Sequence, residues 1–169
     1  MDNHDHDKLT IDAVKKVAPC VVSVVISKYV PKIKNAYMDP LSNPLVFGET
    51  DADGKEKIRI GGGSGFIVHE DGLVLTNKHV VFDTDAEYTV MIGDEDEYPA
   101  TVLSRDPIND IAVLKINAKN LPTISIGDSN KLELGQTVIA IGNALGLFSN
   151  TVSKGIISGL SRSISAALG

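Results

Sequence analysis

A chain of 169 residues can hold one large domain or two small ones with real cores. Its 43% hydrophobic and 22% charged residues are an ordinary globular balance, and with no Trp and 5% aromatics the core falls to Val, Ile and Leu. The net charge of −6, with acids scattered outside a short run at 94–97, argues against nucleic acid as a partner, and no run reaches the roughly 18 apolar residues of a membrane span.

Residues 1–7 read as a solvated, disordered tail. Its His4-Asp5-His6 offers a divalent metal only a weak two-imidazole site. The acidic start "MDNHDHDKLT" is not the basic start of a signal peptide. The chain is therefore expected either to be cytoplasmic or to have lost an export or anchor segment. "LTIDAVKKVAP" predicts a short helix capped by Thr10 or Asp12, with Ile11, Val14, Val17 and Ala18 on one face and Pro19 as its stop. Cys20 is the only cysteine, so no internal disulfide forms. In "APCVVSVVIS" it reads as a buried residue at the start of an apolar strand, not a reactive thiol.

From residue 21 the apolar spacing is two. "VVSVVISKYV" is a strand, followed by a long loop, 31–57, containing Pro31, Pro40, Pro44 and "DADGKEK". "SGFIVHE" and "GLVLTN" form a hairpin about Glu70-Asp71-Gly72. "EYTVMIGDEDEYPATVLSRD" forms a second, turning at Gly93-Asp94-Glu95-Asp96. "DIAVLKI", "PTISIGD", "QTVIAIG" and "TVSKGIISGLS" follow as short strands. Seven or eight such strands with close turns mean an all-β barrel or sandwich, and no helix–strand alternation supports a parallel sheet.

Two residues could carry chemistry. His79 in "LTNKHVV" stands at a strand end, and Asp110 in "DPINDIAVLKI" stands immediately before a strand. Each alone fits a structural role. Together, some thirty residues apart in an all-β chain, they follow the order His…Asp…Ser of the chymotrypsin arrangement. There the imidazole takes the hydroxyl proton while the carboxylate fixes its tautomer and stabilises the imidazolium.

"GSGFIVHEDGLVLTNKHVV", "DPINDIAVLKI", "IGDSNKLELGQTVIAIGNALGL" and "TVSKGIISGLSR" closely resemble the HtrA/Deg-type serine proteases, over about residues 8–165. The resemblance implies, at 8–117, the short N-terminal helix and a complete chymotrypsin-like antiparallel β-barrel. At 118–169 it implies a linker and the first strands of a truncated second barrel. His79 would be the general base and Asp110 its orienting acid, with loop 31–57 in the place of the family's regulatory loop. It also implies ATP-independent cleavage of unfolded polypeptides in extracytoplasmic quality control, with no metal or organic cofactor. Members commonly carry a following PDZ domain and form trimers, so a homo-oligomer is expected. Lys78 stands where the family has a small or uncharged polar residue, and is expected to face solvent. "AIGNALGL" matches a loop near the specificity pocket, in which Gly142 and Gly146 would permit tight turns.

A nucleophile is missing from this pattern. Ser129 in "GDSNK" lacks the Gly-Gly that would supply oxyanion-hole amides. It also follows Asp110 by 19 residues, where the chymotrypsin order needs about 90. Ser149, Ser153, Ser158, Ser161, Ser163 and Ser165 lack a Gly-x-Ser-Gly-Gly setting as well. The chain therefore reads as a fragment without its serine, inactive alone. The competing reading is a non-catalytic module that binds peptide edges by strand addition. Both require an imidazole–carboxylate hydrogen bond, whereas coincidental motifs on an unrelated barrel would leave His79 and Asp110 apart.

Overall fold

The computed structural model describes residues 3–31, 49–50, 55–144 and 148–160. Period-two alternation becomes antiparallel strand in every such stretch except "PTISIGD". The strands are β1 (Val21–Pro31), β2 (Glu49–Thr50), β3 (Lys55–His69), β4 (Leu73–Thr76), β5 (Glu87–Ile92), β6 (Asp96–Arg105) and β7 (Ala112–Ile116). They pair in the order β1-β5-β6-β7-β4-β3, and β3 returns to β1, so six strands close a barrel with β2 attached to β3. Closure leaves those six strands no free edge and turns alternate side chains inward. Val22, Val24, Ile67, Val74, Val90 and Leu114 are fully buried there, at about 1.5–3 kcal/mol of apolar burial each. The expected β-branched and leucine core is what the barrel contains.

Both hairpins form where turn chemistry placed them. Gly72 turns β3 into β4 with φ +91, and Gly93 turns β5 into β6 with φ +64. Gly72 has a second constraint: a Cβ there would lie 2.6 Å from the carbonyl oxygen of Ile116. Only glycine satisfies both.

Several expectations are corrected. The helix α1 spans Asn3–Val17, so most of the expected tail is helical. Thr10 lies inside it, with its hydroxyl donating to the His6 carbonyl at 2.9 Å, so neither Thr10 nor Asp12 is a cap. Ile11 is exposed on that helix while Val14 and Val17 are half-buried. Cys20 sits in a 3-10 turn (Ala18–Cys20) that precedes β1; it is buried as expected, and burial pushes its thiol pKa up, away from reactivity. "PTISIGD" forms no strand: Pro122 has no N–H, and the Ile124 amide finds the Ile67 carbonyl at 3.0 Å without a ladder following. Of loop 31–57, residues 49–50 and 55–57 are strand, Pro31 ends β1, and 32–48 and 51–54 lie outside the described residues.

β8 (Thr137–Ala144) and β9 (Phe148–Ile156) form a separate antiparallel pair. It is closed at its base by reciprocal bonds of 2.9 Å, Gly135 N–H to Ile157 O and Ile157 N–H to Gln136 O. β8 lies against β1, β3 and α1. A cavity of about 690 Å³ remains between them, lined by Val17, Phe66, Leu75, Ile111, Ile139 and Ile141 among others. Val152 and Ile156 on β9 are exposed.

Gly72→Ala forces both a left-handed backbone and a contact with Ile116 O, and is expected to destabilise the chain by about 2 kcal/mol in urea unfolding. A loss below about 0.5 kcal/mol, the usual range for a surface change, would contradict this account of the turn.

Candidate active site

The register of one strand pair makes the site. β4 and β7 run antiparallel with Thr76 opposite Ala112, so the residues just past Thr76 face those just before Ala112. His79 and Asp110 occupy those two extensions. Their meeting follows from the register, and a slip of one residue would separate them.

Beyond β4 the chain leaves the sheet at Asn77 and forms a 3-10 turn, Lys78–Val81. Val80 and Val81 are buried and anchor that turn in the core. Val80 fits because Gly63 has no side chain: a Cβ there would lie 2.6 Å from Val80 Cγ2. Arg105 Nε–H donates to the Val81 carbonyl at 2.7 Å and braces the turn from β6. The His79 side chain is left 71% exposed.

The Asp110 loop is built on Asp106. Its Oδ1 accepts the backbone N–H groups of Ile108 and Asn109, each at 2.7 Å, and those bonds hold its carboxyl below the usual range. Asp106 N–H donates to Ile111 O at 2.8 Å and closes the loop. Asp110 is thereby presented to the histidine turn.

His79 Nδ1 lies 2.5 Å from Asp110 Oδ2, and the His79 backbone N–H donates to Asp110 Oδ1 at 2.8 Å. Asn77 Nδ2 donates to Asp110 Oδ2 at 3.2 Å and to the Asp110 carbonyl at 3.1 Å. The Asp110 carboxyl is held below its ordinary value, first by the His79 amide, then by the imidazole, with Asn77 adding to both. A carboxylate at Nδ1 selects the tautomer whose Nε2 is the proton acceptor. The arrangement can thus supply a general base. It also rules out coincidental motifs on an unrelated barrel, which required the two residues to be apart.

Lys78 is not simply turned to solvent: it is half-buried, and its Nζ lies 3.4 Å from the Pro107 carbonyl in the Asp110 loop. Ser129 lies in an exposed 3-10 turn whose Asn130 amide is held by the Asp128 carboxylate at 3.1 Å. Ser153 and Ser158 are exposed, while Ser161, Ser163, Ser165 and Gly146 lie outside the described residues. Gly142 has a different reason from the expected turn: a Cβ there would come within 3.0 Å of Ser64 Oγ. Among the described residues no three His, Cys, Asp or Glu side chains are grouped to hold a metal ion. Asn77, Arg105 and Ser64 did not stand out in the sequence. The one available signal was an asparagine where a strand should continue apolar.

Residues 63–168 match the family profile of the trypsin-like peptidase domain. A probable periplasmic serine endoprotease, DegP-like, of Pseudomonas putida is 49% identical over 102 residues, covering 60% of this chain and 21% of that protein. One of Brucella suis is 38% identical over 187 aligned residues, covering 92% of this chain and 36% of that protein. Among solved structures, the HtrA-type protease AlgW with a decapeptide matches at 32% identity and a TM-score of 0.69, covering 94% of this chain and 47% of that one. A serine-to-alanine form of AlgW matches at 33% and 0.67. The chain therefore spans about a third or less of these curated relatives' length.

Because the folded pKa of Asp110 is depressed, its stabilisation is present in full above the unfolded carboxyl pKa. It is lost as pH falls through the folded value. Carbon-13 NMR of the carboxyl is expected to show a midpoint below that of ordinary aspartate. His79→Ala removes the imidazole but keeps the amide, the larger cause, so part of the depression should persist. An ordinary midpoint in the unsubstituted chain would contradict the geometry.

Proposed function

The chain belongs to the trypsin-like peptidases, HtrA/Deg type, and from that premise we propose that it carries the base-and-acid half of a serine endopeptidase site acting on unfolded or misfolded polypeptides. The observation that supports this most is the 2.5 Å contact of His79 Nδ1 with Asp110 Oδ2, backed by the His79 amide and Asn77 on the same carboxylate.

In this reading His79 Nε2 removes the proton of a serine hydroxyl as its oxygen attacks the scissile carbonyl. Asp110 stays ionised and stabilises the imidazolium, which then protonates the leaving amine. The nucleophile of this reading is none of the serines of these 169 residues, because none of them has the Gly-x-Ser-Gly-Gly setting that supplies oxyanion-hole amides. β8 and β9 are then the opening strands of the second barrel, and the 169-residue chain by itself is inert. An extracytoplasmic location, oligomeric assembly and a following PDZ domain complete the proposal. The relatives' description as periplasmic supports the first, and the family resemblance supports the other two. Among the described residues no helix is long and apolar enough to cross a membrane.

The test compares two products: the 169-residue chain and the product of the coding frame read past Gly169. The longer product is expected to hydrolyse an unfolded protein, to be blocked by a serine-directed phosphonate, and to lose about 10⁴-fold or more of its activity in His79→Ala. The short chain should be inactive in the same assay. Phosphonate-sensitive hydrolysis by the short chain, or a longer product that is inert, would overturn the proposal. The second result would return the chain to the peptide-binding reading.

A further inference from the structure

We infer that Ser64 is a positioning residue of this site: its hydroxyl latches the β8–β9 pair onto the strand segment that holds the His79 turn in place. The inference rests on the endopeptidase reading above. Ser64 lies in β3 and is joined on two sides. Its carbonyl accepts the hydroxyl of Thr76 at 2.8 Å, and Thr76 is the last residue of β4, three before His79. Its Oγ accepts the backbone N–H of Asn143 at 2.8 Å and lies 3.4 Å from the Asn143 carbonyl, across 79 residues of chain.

Both partners of Ser64 are shielded from water, Thr76 at 7% exposure and Asn143 at 6%. Hydrogen bonds in such surroundings are stronger than exposed ones and harder to replace with water. Gly142 is part of the same device. With a Cβ there 3.0 Å from Ser64 Oγ, a larger residue requires the Ser64 hydroxyl or β8 to give by a few tenths of an ångström, at the point where the Asn143 amide is bonded. Contacts therefore run from Asn143 through Ser64 to Thr76, and from there along the backbone into the turn that carries His79.

The consequence follows from where the nucleophile must lie. If the serine is carried by the barrel that β8 and β9 begin, its distance from the imidazole depends on how β8 sits on β3. A misplacement of about 1 Å at a reacting pair can lower the rate about 100-fold. A latch at this point acts on the rate of the chemical step and leaves substrate grip largely alone.

The test uses the full-length protein. Ser64→Ala is expected to lower kcat between about tenfold and 100-fold with KM nearly unchanged. The thermal midpoint should fall by less than about 5 °C, and the Asn143 amide should lose hydrogen-exchange protection. Ser64→Thr keeps the hydroxyl and should recover most of kcat and the protection. Gly142→Ala should lower kcat by itself, and the double variant with Ser64→Ala should be no worse than either single change. A Ser64→Ala enzyme with the original kcat would overturn the inference. So would a kcat loss that Ser64→Thr does not restore, or unchanged Asn143 protection. If the unsubstituted full-length protein hydrolyses nothing, the endopeptidase reading fails, while Asn143 exchange still decides whether the latch exists.

Discussion

The antiparallel register of β4 on β7 is the constraint on which the site depends. Thr76 opposite Ala112 brings two loop segments together that are some thirty residues apart in sequence. Everything else stabilises that juxtaposition. Val80 and Val81 anchor the histidine turn in the core, Gly63 makes the space, and Arg105 ties the turn to the strand leading into the aspartate loop. The carboxylate then receives the His79 amide and imidazole and the Asn77 amide. An exposed ion pair alone would be weak and screened by salt. Its geometry persists because the backbone on both sides is fixed by barrel closure.

The barrel was largely legible in the sequence, since period-two alternation and glycine-bearing turns are local signals. "GLVLTN" and "EDG" announced a hairpin that formed as expected. "PTISIGD" carried a similar alternation without a partner, and alternation measures which face could be buried, not whether a neighbouring edge exists. The helix began at Asn3, well ahead of the capping residues read from sequence. Polar starts of helices carry little periodicity, so their boundaries are weakly marked.

The candidate site was legible as a pairing of His79 with Asp110, which do meet, and opaque in its supports. His79 and Asp110 are residue types with recognisable chemistry at strand ends. Ser64, Asn77 and Arg105 act through contacts that depend on which strands pair, and no local pattern displays those. Gly142 illustrates the difference. Its sequence suggested a turn, whereas its surroundings show a close approach of β8 to Ser64. The relatives extend well beyond the span that this chain matches, which is 36% of the Brucella suis protein and 47% of the AlgW structure.

The central claim is that Asp110 holds His79 in the tautomer whose Nε2 can accept a proton. Long-range nitrogen-15 NMR of the His79 imidazole at a pH where it is neutral tests this most directly. A proton on Nδ1 with a low-field resonance is expected, and loss of that resonance in Asp110→Asn. A proton on Nε2, or a spectrum indifferent to Asp110→Asn, would contradict it.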